Sequence, residues 1–278
     1  MPFSTATGPK IYYEVSGEGP ALVFVHANPF DHRLWLYQVA HFSPFFRCVA
    51  MDIRGYGRSD KVETPFTLAD MKDDVLGICR KEGIDLAIFC GCSVGSGIAL
   101  LVGLDHPQMT RALILVGGNS RGSSGVRKRA EDFSKTNDVP GMIRDHLHEV
   151  FAPSFPTTAR GQWIVSIFAE NAYTLSGAAI AQIHRARGGC DMSGRLKELD
   201  VPTLVINGAH DNSLAAGRET AAGIKGSRHV ELPGTGHACC IEDPDAFDRA
   251  MIEFFKQNGL WAGTTIPPLN RDDVRIAR

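Results

Sequence analysis

Gly91-Cys92-Ser93-Val94-Gly95 directly follows the apolar run Leu86 to Cys90 and directly precedes the helical run Ile98 to Leu104. The run before it is short and β-prone, as a buried strand is. A serine between strand and helix sits at a sharp turn that lifts its hydroxyl above the end of a sheet. The flanking glycines are small because the two backbones approach closely there, and the helix N-terminus faces any anion that forms at the serine. G-x-S-x-G alone is a loose pattern that any Gly-rich turn can satisfy. The strand before it and the helix after it make Ser93 the expected nucleophile.

An alcohol is a poor nucleophile at neutral pH, so Ser93 requires a base, and the base a carboxylate that orients it. Ten histidines compete for the first role. His237 stands in Gly234-Thr235-Gly236-His237, just after the last β-prone run, where a flexible turn can bring an imidazole to the carboxyl edge of a sheet. It is the expected base. Asp211 follows the run Pro202 to Gly208 through Ala209-His210, which puts a carboxylate at that same edge, where open α/β sheets hold their sites. It is the expected acid. The competitors have plainer readings: His210 as a surface neighbour of Asp211, and His229 as a strand residue. His146 and His148 are two apart in a helical stretch and do not share a face, which argues against a paired metal site. Asp52 ends a run in the turn Asp52-Ile53-Arg54-Gly55-Tyr56-Gly57-Arg58-Ser59, where building the turn is its expected role. Acyl chemistry also needs donors for a developing oxyanion. The backbone N–H of Val94 is one, and Asn28, in the loop His26-Ala27-Asn28-Pro29-Phe30, is the other, with Ala27 as second choice.

Outward from the elbow, short β-prone runs alternate with stretches of helical period, the pattern of a mostly parallel sheet covered on both faces. The fold class is α/β. Seven runs read as strands: Lys10 to Val15, Ala21 to Ala27, Arg47 to Ile53, Leu86 to Cys92, Arg111 to Gly117, Pro202 to Gly208 and Arg228 to Leu232. Thr67 with Asp70 forms a capping-box pattern, followed by Leu68, Met71, Val75 and Ile78 at helical spacing, and predicts a helix that stops before Gly83. The rhythm breaks between Gly118 and Leu199. That stretch opens on the polar linker Asn119-Ser120-Arg121-Gly122-Ser123-Ser124-Gly125, read as flexible, and closes on Asp200-Val201-Pro202. The expected organisation is a core over 1–118 and 199–259, a helical lid over 119–198 and an extended C-terminal arm over 260–278.

The net charge of −2 lacks the positive surplus that nucleic-acid binding requires. At 44% hydrophobic and 22% charged residues the balance is that of a globular protein, which excludes wholesale disorder. No apolar run approaches the ~18 residues of a membrane span, and Met1-Pro2-Phe3-Ser4-Thr5 does not read as a secretion leader. Seven cysteines without zinc-type spacing read as reduced thiols. The expectation is a cytoplasmic protein with a small-molecule substrate, no metal, no cofactor, and room for a homo-oligomer.

Taken together, the chain resembles the α/β-hydrolase fold superfamily, in the branch with a helical lid. The resemblance runs from about Tyr12 to Gln257. It is carried by His26-Ala27-Asn28-Pro29 with Trp35, the Asp52 to Ser59 turn, the elbow around Ser93, His106-Pro107, Gly208-Ala209-His210-Asp211, and Gly236-His237 through Glu242-Asp243-Pro244. It implies an eight-stranded sheet, a triad of Ser93, Asp211 and His237, and an oxyanion hole from the backbone of Asn28 and Val94. Two positions depart from the family's habit: Ala27 stands where glycine is usual, and Ser96-Gly97 where Gly-Gly is commoner. The expected activity is serine-dependent hydrolysis of a carboxylic ester or lactone through an acyl-enzyme. Carbon–carbon bond hydrolysis, cyanohydrin lysis and slow-turnover ligand reception are the alternatives on the same fold. Within the lid, Trp163, Ile164, Ile167, Phe168 and Tyr173 recur at roughly helical spacing; Trp163, Phe168 and Tyr173 are the expected substrate contacts, the other reading being the lid's own core. Arg185 and Arg187 are candidates to meet an acidic substrate.

Overall fold

Strands buried on both faces read as unbroken apolar runs rather than as alternating ones, and this chain supplies them in series. The structure, a computed structural model, describes residues 3–263. Its strands are β1 (Phe3–Ser4), β2 (Ile11–Ser16), β3 (Ala21–Val25), β4 (Arg47–Met51), β5 (Ala87–Cys92), β6 (Thr110–Val116), β7 (Thr203–Gly208) and β8 (Arg228–Leu232). They form one eight-stranded sheet in the order β1-β2-β4-β3-β5-β6-β7-β8. β2 runs antiparallel to β1 and β4, and the pairings from β4 through β8 are parallel. All residues of β3, β5 and β7 are buried. Each large apolar side chain there, such as Phe24 or Phe89, contributes about 1.5–3 kcal/mol by leaving water. The seven expected strands are present. β1, two residues long, is too short to show a period, and Leu86, taken as the start of β5, is 47% exposed just outside it.

The helices are α1 (Leu36–Phe42), α2 (Leu68–Glu82), α3 (Val94–Asp105), α4 (Ser124–Lys135), α5 (Val139–Glu149), α6 (Ala159–Asn171), α7 (Gly177–Gly188), α8 (Leu214–Gly223), α9 (Cys239–Glu242) and α10 (Pro244–Gln257). α2 starts with both halves of the Thr67–Asp70 capping box and stops at Gly83, whose φ of 64° is the left-handed cap conformation. α3 is apolar all round, and every residue from Val94 to Leu104 is buried between the sheet and α2. Among the described residues no single helix is long and apolar enough to cross a membrane.

The stretch 119–198 contributes no strand to the sheet and folds as α4 to α7 with short 3₁₀ turns. Its two ends are tied together: Arg121 bridges Asp191, Gly122 N–H donates to Cys190 O at 2.8 Å, and Met192 N–H donates to Ser120 O at 2.8 Å. The linker expected to be flexible is therefore paired along its backbone. At the other end of the chain, Leu260 is buried and the Trp261 ring packs against Phe42, Phe45 and Phe46, with centroids 5.1–6.4 Å away. Residues 260 and 261 thus belong to the core rather than to an arm. Residues 264–278 of the expected arm lie outside the described residues.

Candidate active site

Ser93 joins the end of β5 to the start of α3 with φ 55° and ψ −111°, and among the described residues it is the one non-glycine with positive φ. Such a conformation costs on the order of 1–3 kcal/mol and persists only when the surroundings impose it. Here they do. Ser93 N–H donates to Val116 O at 2.8 Å, and Gly97 N–H donates to Ser93 O at 3.1 Å. A Cβ on Gly91 would lie 2.1 Å from Gly95 O, and one on Gly95 would lie 2.2 Å from Val25 O. Both glycines are thus required by backbone approach, as the motif implied.

The carboxyl ends of β7 and β8 bring in the other partners. Asp211 Oδ1 meets His237 Nδ1 at 2.8 Å. The carboxylate is buried and held on both oxygens: Oδ1 accepts from Ser213 N–H at 2.7 Å and Ser213 Oγ at 2.8 Å, and Oδ2 accepts from Asn207 Nδ2 at 2.8 Å. Asn207 Oδ1 is in turn 3.1 Å from His229 Nε2, so His229 supports the acid rather than serving as base. Burial alone would raise the Asp211 carboxyl, but the His237 charge and these donors hold it well below the usual carboxylate range. Burial alone would likewise lower His237, but the Asp211 charge and hydrogen bond raise it to about 9.

Two further contacts set the His237 loop. Glu242, buried, accepts from Gly236 N–H at 2.8 Å and Ala152 N–H at 2.9 Å, tying this loop to the helical segment. Its desolvated carboxyl is raised to about 7. Gly117, at the end of β6 with φ 55°, lies under the imidazole, and a Cβ there would be 2.7 Å from His237 Cε1. Gly117→Ala is therefore expected to displace the ring and lower kcat by about 10²-fold or more with a smaller change in KM. Steady-state kinetics on the folded variant checks this, and an unaltered kcat would show that the ring does not need its place.

Ser93 and His237 face one cavity of about 310 Å³, together with Asn28 and Val94. The Ser93 hydroxyl makes no side-chain hydrogen bond among the described residues, so it is free at the cavity wall. The backbone N–H groups of Asn28 and Val94 likewise have no protein acceptor among the described residues, as donors reserved for a developing oxyanion must be. A serine hydroxyl, an imidazole paired with a buried carboxylate, and two residues with unoccupied backbone donors thus line one cavity.

The expected substrate contacts are corrected. Trp163 is 55% and Tyr173 76% exposed, and neither lines this cavity. Phe168 is buried instead against Phe30, ring centroids 4.8 Å apart, with the Arg33 guanidinium over its face. On α6 the inward face is Ile164 and Phe168, four apart, and Trp163 points away from it. The buried part of the stripe therefore packs the segment onto the core, through Phe168 on Phe30, and does not line the cavity. The cavity's far wall is polar and comes from α5 and α7 with α4 and its N-cap: Ser123, Val126 and Arg129; His146, Glu149 and Val150; His184 and Arg187. Each set has the three- or four-residue spacing of one helix face, a signal in the sequence that a search for apolar stripes passes over. Arg185 lines a separate groove of about 670 Å³ with Phe66, Leu101 and Cys190, which does not include Ser93. Asp31, His32 and Asp52 bring metal-ligand atoms within 4.8 Å of one another. Arg33 and Asn171 already occupy Asp31, and His32 and Arg58 N–H occupy Asp52, which builds its turn as expected.

Residues 20–164 match the family model described as alpha/beta hydrolase fold. The chain is 27% identical over 257 residues to 3-oxoadipate enol-lactonase 1 of Acinetobacter baylyi, covering 90% of this chain and 94% of that protein. It is 25% identical to the pimeloyl-[acyl-carrier protein] methyl ester esterase of Yersinia enterocolitica, covering 90% and 98%. The crystal structure of the enol-lactonase from Burkholderia xenovorans superposes with a TM-score of 0.86 at 28% identity, covering 92% of this chain and all of that one. The family match spans more than half of the chain, these relatives align over nearly its whole length, and its elbow has the expected geometry: the chain belongs to the α/β-hydrolase fold family and is a hydrolytic enzyme.

Proposed function

We propose that the protein cleaves a carboxylic ester or lactone of a small molecule through an acyl-enzyme, with Ser93 as nucleophile, His237 as base and Asp211 as the orienting acid. The observation that carries this reading is the 2.8 Å contact between His237 Nδ1 and Asp211 Oδ1 at the cavity that also exposes Ser93. Ser93 Oγ adds to the carbonyl carbon as its proton passes to His237 Nε2, and the carbonyl oxygen takes the negative charge between the N–H groups of Asn28 and Val94. Collapse expels the alcohol, which receives the proton from His237. Water then adds to the acyl-enzyme with His237 again as base, releasing the acid and restoring Ser93. The enol-lactonase and esterase relatives support this bond type. Seven unpaired cysteines support work in a reducing compartment such as the cytoplasm.

The test is release of p-nitrophenol from short- to long-chain acyl esters under multiple turnover, wild type beside Ser93→Ala. Sustained release that needs Ser93 is the expected result. A single stoichiometric burst, or none across the series, would refute ester turnover and favour ligand reception or carbon–carbon cleavage.

A further inference from the structure

The cavity beside Ser93 holds a buried positive charge that the protein does not neutralise. Arg187, on α7, is 5% exposed. Its Nη2 donates to Asn119 O at 2.6 Å, to Asn119 Oδ1 and to Arg121 O at 3.2 Å, all uncharged oxygens. Its Nη1 is buried without a partner, and the side chain lines the Ser93 cavity. Among the described residues no carboxylate pairs with it. The same chain buries a second guanidinium in the usual way: Arg54, also 5% exposed, sits on Asp74 through two hydrogen bonds of 2.7 and 2.8 Å. A buried cation without a counter-ion is costly, and its persistence beside a cavity calls for an anion that arrives from outside.

The surroundings are built for one. Arg187 lies over Gly97, where a Cβ would stand 3.1 Å from its Nε. Gly97 is one turn along α3 from Ser93, an axial separation of about 6 Å. Two other polar atoms of this cavity, His146 Nδ1 and His184 Nε2, are buried with no hydrogen-bond partner. Burial and the nearby Arg129 push His184 down to about 3 and His146 well below the ordinary range. Both rings are therefore neutral near pH 7, and each can donate one N–H. Arg129 is already paired with Glu149 at 2.6 Å, which leaves Arg187 as the unneutralised charge.

We infer that Arg187 binds a carboxylate carried by the substrate, with His146 and His184 donating to it, so that the preferred substrates are half-esters or lactones of short acids bearing a second carboxylate. This rests on the ester or lactone reading above and narrows it. The carboxylate lies on the acyl or the alcohol side, a short chain away from the scissile carbonyl.

The test compares charged and neutral esters of matched shape, methyl hydrogen glutarate against dimethyl glutarate, and O-butyryl glycolate against its methyl ester. Wild type is expected to favour a charged ester by about 10²-fold in kcat/KM, the scale of a charged hydrogen-bond pair in a desolvated site. Arg187→Met should bring that ratio to within about threefold of unity, chiefly through KM, and Arg187→Lys should restore part of it. Equal use of charged and neutral esters by wild type, or a ratio unchanged in Arg187→Met, overturns the inference and leaves the ester reading standing. Binding is read separately in the Ser93→Ala background by thermal unfolding. Glutarate should raise Tm, sodium chloride at equal ionic strength should not, and the gain should vanish on adding Arg187→Met. If no ester is turned over, the ester reading fails and glutarate protection alone decides the carboxylate site. Protection by inorganic phosphate without protection by glutarate overturns the carboxylate assignment. Should Arg187→Met fail to fold, wild-type discrimination, glutarate protection and the Lys variant still decide it.

Discussion

Ser93→Ala is expected to lower ester turnover by roughly 10⁴–10⁶-fold while leaving Tm within about 1 °C of wild type, because the hydroxyl carries the chemistry and has no structural bond to lose. Truncation leaves the elbow's backbone as strained as before, since alanine tolerates φ 55° and ψ −111° no better than serine does. Ser93→Gly separates the two effects: it is equally inactive, but glycine adopts that conformation without penalty, so its Tm should exceed that of Ser93→Ala. Calorimetry of the two variants beside a turnover assay checks both parts. A folded Ser93→Ala that still turned over ester would place the nucleophile elsewhere.

Asp211→Asn is expected to cost about 10⁴-fold in kcat near neutral pH, since an amide cannot stabilise the imidazolium and can hold the ring in the wrong tautomer. The pH profile should move with it. In wild type the base must be neutral, and Asp211 holds His237 protonated to about 9, so kcat/KM rises with pH through a pKa above the ordinary 6.5. Without the Asp211 charge and hydrogen bond the imidazole loses what chiefly raises it and falls from about 9, so the rising limb shifts to lower pH. Stability should respond with the opposite emphasis. The ion pair requires Asp211 ionised and His237 protonated. Its contribution is complete between pH 3.8 and 6.5, lost as pH falls through the depressed Asp211 pKa, and lost as pH rises toward 9. Asp211→Asn should therefore lose most Tm near pH 5–6 and least at pH 9 and above. A Tm difference independent of pH would mean that the pair is not charged in the native protein.

Ser93, Asp211 and His237, the residues proposed for the chemistry, could be picked out because each stands in a local signature: a G-x-S-x-G between strand and helix, an acid after a β-strand, a histidine in a Gly-rich turn after the last one. The residues that hold the acid and base were less so. Ser213 carried a signal, because an aspartate two residues before a serine favours the turn in which Asp211 accepts from Ser213 N–H. Asn207 carried none, since one polar residue in a buried strand does not announce which loop it will meet. Gly117 follows a strand like many turn glycines, and only the approach of His237 from 120 residues away gives it a role. The stripe containing Phe168 was read correctly as helical but assigned the wrong neighbour. A period of 3.6 identifies the face that is buried, not what buries it, and here Phe30 does.

Sequence alone determined the α/β class, most of the strands, the elbow and the three residues expected to do the chemistry, because these follow from short-range pattern: apolar runs, caps, and a tight turn between flanking glycines. Tertiary structure alone decided what surrounds them. That the chamber wall is polar rather than aromatic, that Glu242 ties the His237 loop to the helical segment, and that Arg187 is buried without a counter-ion all depend on which helix faces converge. That convergence is set by packing between segments distant in the chain, and local periodicity does not encode it.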